Sequence, residues 1–171
     1  MDALDHYTIP VSGLGDGLHE YDFNIGKEFF QHFEGSLVED ADVAVHFIFD
    51  KQPDHYIITF DLEGTVKTVC DRCLEEFDLP IEDEQSLLVK FDETEWEDAD
   101  VIYILRGTPK LNVARYIYEF INLAVPMAKT HDDAGESCDP EMLKYIEPEP
   151  EDEQDGSGSV WDSLRGLDLE N

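Results

Sequence analysis

The sequence predicts an α+β fold: a mainly antiparallel β-sheet or partly open barrel, packed by one principal helix and followed by an acidic, flexible C-terminal tail. Three observations point there. Apolar and polar residues alternate through several runs between Tyr21 and Leu105, the period of half-buried strands. The strongest apolar stripe at helical spacing lies over residues 113–124. Beyond Tyr145 the composition turns to Glu, Asp, Pro and Gly, with too little apolar surface to order itself. The reading divides the chain into an α+β domain over 5–146 and a segment 147–171, an acidic linker with a short amphipathic end.

Taken in order, Tyr7 to Val11 is a candidate strand, and Gly13, Gly15 and Gly17 form a loop. No Gly-Lys-Ser/Thr follows those glycines, so they read as a turn and not a phosphate cradle. Tyr21, Phe23 and Ile25 alternate with Asp22 and Asn24 as on a strand. Lys27 to Phe33 places Phe29, Phe30 and Phe33 on one face of a short helix. Val43, Val45, Phe47 and Phe49 form a strand that turns at Gln52-Pro53-Asp54 and returns as Tyr56, Ile58, Phe60 and Leu62. Gly64 suggests a bulge or bend before Val66 and Val69.

Phe77, Leu79 and Ile81 share a parity, as do Leu87, Val89 and Phe91, which fits one long bent strand or two consecutive ones. Residues 92–100 hold six acids in nine positions and read as an exposed loop, because burying so many unpaired charges is prohibitive. Val101 to Leu105 is a short strand. Asn112 is placed to cap a helix carrying Val113, Ile117, Phe120 and Ala124 on one face, with Leu111 and Tyr116 as a hydrophobic staple. Pro126 should end that helix near Leu123 or Ala124. After the acids of 147–155 and Gly156-Ser157-Gly158, a capping-box pattern at Ser159 opens a segment with Val160, Trp161, Leu164 and Leu167 on one face.

Charge limits the function classes. The chain has 42 acidic against 11 basic residues among 171, a formal net charge of −31. Such a field repels nucleic-acid phosphates and attracts basic partners, with affinities that fall as salt rises. Direct electrostatic binding of RNA or DNA is therefore disfavoured, so any RNA contact should be indirect. The N-terminus lacks the basic and apolar regions of a signal peptide, and no apolar run approaches the roughly 20 residues that span a bilayer. With three cysteines and no secretory features, a soluble protein of a reducing cytoplasm is expected.

Two of those cysteines form Cys70-Asp71-Arg72-Cys73. Zinc takes about four ligands from thiolate, imidazole or carboxylate, and His131 and Cys138 are the natural candidates to complete the set. That site would be architectural, since its closed tetrahedron leaves no position for a reacting water. Reduced free thiols are the competing reading. A redox dithiol is a further alternative, but Asp71, Glu75 and Glu76 crowd the pair and should raise a thiol pKa against the single charge of Arg72. His6, His19, His32, His46 and His55 form no spaced triad, and no serine is framed as a nucleophile. Neither catalysis nor a small-molecule substrate is expected.

An ordered set of blocks then carries a resemblance. Tyr7-Thr8-Ile9-Pro10 and Ser12-Gly13-Leu14 come first, followed by Gly64-Thr65-Val66 and Cys70-Asp71-Arg72-Cys73-Leu74. Tyr118-Glu119, Ile121, Leu123, Pro126, His131 and Cys138 come next, and Trp161-Asp162 with Leu164 close the set. Spread over most of residues 7–167, they resemble the bacterial YceD-like family, the large ribosomal RNA subunit accumulation proteins. The resemblance implies a non-enzymatic ribosome biogenesis factor supporting accumulation of large-subunit ribosomal RNA. Some relatives carry further cysteines near the C-terminal half-site, where this chain has Cys138 alone, with His131 upstream.

A chain of this charge suits the binding of a basic ribosomal or assembly protein before that protein meets RNA. The residues expected to do so are Asp92, Glu93, Glu95 and Glu97 of the acidic loop, with Trp161 and Leu164 of the C-terminal segment. The other classes left open are an acidic nucleic-acid mimic and a thiol-based redox protein.

Overall fold

Successive side chains of a strand point to opposite faces, so each alternating run assigns one parity to the core. The computed structural model describes residues 3–98 and 100–146 and realises that pattern as a six-stranded open sheet. Its strands are β2 (Gly17–Ile25), β3 (Ala41–Lys51), β4 (His55–Val69), β5 (Glu76–Asp92), β6 (Trp96–Asp98) and β7 (Val101–Leu105). They lie in the order β2-β3-β4-β5-β7-β6, so β2 and β6 remain separate edges and the sheet does not close into a barrel. All neighbours are antiparallel except β5 and β7, which run parallel.

The parities carry the core as the sequence requires. Phe23 and Ile25 of β2, Val43 to Phe49 of β3, Tyr56 to Leu62 of β4, and Phe77, Leu79 and Ile81 of β5 are buried at alternate positions. β5 is one strand of 17 residues, and the two candidate runs within it belong to a single parity. Against this face lie the short helix α1 (Lys27–Phe30) and the principal helix α2 (Ala114–Ala124), which buries Tyr116, Ile117, Phe120 and Ile121. Phe60 of β4 meets Phe120 edge-on, with ring centres 5.1 Å apart. The helix ends two residues before Pro126, where the lost N–H stops it.

The N-terminal strand is shorter than the expected Tyr7–Val11. Only Thr8–Ile9 (β1) pairs, with β8 (Leu111–Asn112), between a 3₁₀ turn at Ala3–Tyr7 and another at Val11–Gly13. Pro10 has no N–H to extend the ladder. The N-cap position of α2 falls on Val113 and not on the expected Asn112, which lies in β8. From there the Asn112 side-chain oxygen accepts the Ala114 N–H at 3.0 Å, and its amide donates to the Leu4 carbonyl and to Thr8 Oγ1. The start of α2 is thereby tied to the start of the chain.

Gly64 marks no bulge. The β3–β4 and β4–β5 registers run through it unbroken, pairing it with Val43 and Ile81. A Cβ there would collide with the Asp42 carbonyl oxygen and sit 2.6 Å from the Val43 Cα, so the glycine admits a close approach of β3. Gly64→Ala should cost about 1–3 kcal/mol through overpacking, seen as a lower urea midpoint with an unchanged slope.

The other face of the sheet is left uncovered among the described residues. Across its middle, Glu20 and Asp22 of β2 share that face with Asp61 and Glu63 of β4 and with Glu82 and Glu84 of β5. His46 sits within this acidic band, its Nδ1 2.8 Å from an Asp22 oxygen. That hydrogen bond, aided by the Glu20 and Asp61 charges, raises the His46 pKa above its ordinary value. A raised folded-state pKa stabilises the fold below about pH 6.5, and the contribution disappears as pH rises through the folded value. An NMR titration should show a His46 midpoint above that of a free imidazole, and Asp22→Asn should bring it down.

Candidate metal centre

β4 and β5 are joined by a turn made of Cys70 to Glu75. Cys70 donates its N–H to the Glu75 carbonyl at 2.9 Å and accepts the Leu74 N–H at 3.0 Å. Leu74 takes the left-handed conformation, with φ at 62°, which costs an L-residue roughly 1–2 kcal/mol. The turn holds both thiols inward at this cost, with Cys70 and Cys73 buried beneath it.

The two residues between the cysteines fasten the turn to the segment that follows α2. Asp71 donates its N–H to the Lys129 carbonyl at 2.8 Å, and its carboxylate accepts the Lys129 N–H at 2.6 Å. Arg72 reaches the Asp132 carboxylate at 2.6 Å. Both partners of that ion pair are half exposed, so it is worth only about 0–1 kcal/mol and the junction depends on other contacts.

Lys129 leads into a 3₁₀ turn, His131–Ala134, in which Thr130 donates both its N–H and its hydroxyl to Asp133. Gly135 ends the turn at a φ of 71°, a conformation that suits glycine. Asp139 then accepts the Glu141 N–H at 2.8 Å and caps α3 (Pro140–Leu143). These turns carry His131 and Cys138 back toward the thiols. Phe77 of β5 supports the imidazole, with ring centres 4.6 Å apart.

Cys70, Cys73, His131 and Cys138 converge in one buried cluster, their ligand atoms all within 4.8 Å of one another. The Cys70 and Cys138 sulfurs lie 3.6 Å apart, and His131 Nδ1 lies 3.3 Å from the Cys73 sulfur. Four ligands at zinc distances of about 2.0–2.3 Å form a tetrahedron whose edges are roughly 3.3–3.8 Å. Both distances fall in that range, and the remaining separations, at up to 4.8 Å, need only a small contraction to enclose an ion. The cluster could hold a metal.

The electrostatics of the thiols reverse the expectation drawn from neighbouring acids. Burial pushes the Cys70 thiol up, but the N–H groups of Cys73, Arg72 and His131, with the His131 ring, outweigh it and bring the pKa down to about 6. Burial raises the Cys138 pKa, and the adjacent Cys70 sulfur raises it further. The backbone N–H groups that lower Cys70 favour its thiolate form, the form in which a thiol binds a metal. Backbone N–H groups are invisible to residue-type reasoning, while Glu75 and Glu76 point to solvent. All three thiols are buried, which leaves no exposed sulfur to attack a substrate disulfide.

The acidic segment 92–100 is not wholly a loop. Trp96–Asp98 forms the edge strand β6, held because Trp96 stacks on Tyr103 of β7 with ring centres 3.9 Å apart and planes at 3°. Of the residues expected to meet a partner, Asp92, Glu93, Glu95 and Glu97 are all exposed, two of them also bonded within the fold. Asp92 accepts the Trp96 indole N–H at 2.9 Å, and that bond, with the Glu93 N–H, lowers its pKa. Glu97 accepts the Tyr116 hydroxyl at 2.9 Å and pairs with Arg115, tying β6 to α2. Trp161 and Leu164 lie outside the described residues. Sequence reasoning passed over the strand-borne acids of the uncovered face. Their signal was the run of Asp and Glu at positions opposite in parity to the core.

No helix among the described residues is long and apolar enough to cross a membrane. A family model described as "Large ribosomal RNA subunit accumulation protein YceD" matches residues 58–168, well over half of the chain and inclusive of all four clustered ligands. No curated protein and no solved structure matches.

Proposed function

Because the chain belongs to the YceD family of large ribosomal RNA subunit accumulation proteins, we propose that it is a non-enzymatic biogenesis factor that works in the cytoplasm by binding a basic ribosomal or assembly protein. The observation that carries this reading is charge. At −31 the chain repels RNA phosphates and attracts lysine- and arginine-rich chains, whose own affinity for RNA it would mask until assembly. Its link to ribosomal RNA then runs through the protein it holds. In the same reading, Cys70, Cys73, His131 and Cys138 hold a structural zinc ion that clasps the β4–β5 turn to the segment after α2. The ion would supply architecture alone, since four protein ligands leave no open position.

Affinity purification at low salt, with and without ribonuclease, tests the partner. Basic proteins retained after ribonuclease and released by added salt are the expected result. Recovery of RNA alone, lost on ribonuclease treatment, would sink the proposal.

One observation favours a second reading. A nucleic-acid mimic needs acids in rigid rows, and the uncovered sheet face presents Asp22, Asp61 and Glu84 in one row across β2 to β5, with His46 of β3 between the first two. Under this reading the partner is a nucleic-acid-binding protein whose groove the sheet occupies. Duplex RNA or DNA would then displace this chain from it competitively.

A further inference from the structure

The uncovered face of the sheet carries two adjoining bands. One is the carboxylate band described above. The other is mainly apolar and lies toward β7 and β6: Ile57 pairs with Leu88, Leu88 with Val101, and Tyr103 with Trp96, with Lys90 of β5 as the one cation beside Tyr103. Ile57 is 39% exposed and Trp96 45%, while Leu105, on the same face of β7, is 44% exposed. A contiguous apolar strip rimmed by charge is unusual on a free surface and marks a contact site.

Charge decides what the strip fits. A second copy would bring another −31, and the chain's own segment 147–155 adds six more acids, so both are repelled from a face whose central band is carboxylate. A lysine- and arginine-rich polypeptide is attracted to it. Resting on the partner class proposed above, we propose that this face is where that partner docks. Its apolar side chains seat on Ile57, Leu88 and Trp96 while its cations reach Asp22, Asp61 and Glu84.

The test titrates the full-length protein with two synthetic peptides, one arginine-rich with interspersed leucines and one with every leucine replaced by serine. NMR shifts should concentrate on the outward residues of β4, β5 and β7. Ile57→Ser combined with Trp96→Ser should weaken the leucine peptide at least tenfold and the serine peptide less than twofold. Asp61→Asn with Glu84→Gln should weaken both peptides and flatten their salt dependence. The second pair guards against a folding artefact, because it leaves the apolar strip intact, and a thermal melt checks each variant.

The inference is overturned if both face variants bind as the parent does while neutralising the six acids of 147–155 abolishes binding. In that outcome the basic-partner reading survives with its contact on the tail. It is equally overturned if sedimentation shows a dimer that Ile57→Ser with Trp96→Ser converts to monomer, since a second copy would then cover the face. If ribonuclease-treated purification recovers no basic protein and neither peptide binds, the partner reading fails along with it.

Discussion

Stripping zinc with a chelator should lower the melting temperature of this protein by roughly 8–16 °C. The size follows from linkage. A ligand that binds only the folded chain, at free concentrations a thousandfold above its dissociation constant, contributes about 4 kcal/mol, and each kcal/mol moves the midpoint of a domain this size by about 2–4 °C. The four ligands come from two regions, with Cys70 and Cys138 separated by 68 residues and Cys73 and His131 by 58. Losing an ion held there would loosen the clasp between the segment after α2 and the β4–β5 turn, leaving the Asp71–Lys129 and Arg72–Asp132 contacts to hold it. Cys70→Ser should melt as the stripped protein does, with no response to added zinc. If the cysteines are only buried thiols, chelation changes nothing, and the same substitution costs about 1–3 kcal/mol for burying a hydroxyl, whatever the metal concentration.

Phe60→Ala should cost about 3–5 kcal/mol. Phe60 is fully buried, 4.9 Å from the Phe47 ring and 5.1 Å from that of Phe120. It joins two sheet strands to the principal helix, so the void it leaves opens at the centre of the only sheet–helix layer among the described residues. A double-mutant cycle with Phe120→Ala should return a coupling of about 0.5–1.5 kcal/mol, the value of a well-oriented aromatic pair beyond its buried area. Urea unfolding of the four proteins measures both quantities. Additive losses would mean that Phe60 acts through general burial and not through its contact with the helix.

These energies rest on features that differ in how far residue order reveals them. The core parity of β3, β4 and β5 is written in the alternation of Val43–Phe49, Tyr56–Leu62 and Phe77–Phe91, because one face of each strand must leave water. The end of α2 follows from Pro126. The parallel pairing of β5 with β7 is a long-range choice, made where the Trp96–Tyr103 stack sets β6 on the outside, and no local pattern announces it. Gly64 shows the same limit: a glycine in a strand permits either a bulge or a close neighbour, and only the register separates them. At the cluster, residue chemistry nominates Cys70, Cys73, His131 and Cys138, but their convergence depends on Asp71 and Lys129 exchanging hydrogen bonds across 58 positions. The lowered pKa of Cys70 was hidden altogether, since its cause is backbone N–H geometry.

Charge should direct this chain to a basic protein and away from RNA. Calorimetric titration of the purified, zinc-loaded, full-length protein tests it most directly, using RNA-free preparations of individual basic large-subunit ribosomal proteins at low and at near-physiological salt, with naked large-subunit ribosomal RNA in parallel. Saturable binding to at least one of the proteins, weaker at the higher salt, and no heat of binding with the RNA are expected. Binding to the naked RNA, with none to any of the basic proteins, would contradict it.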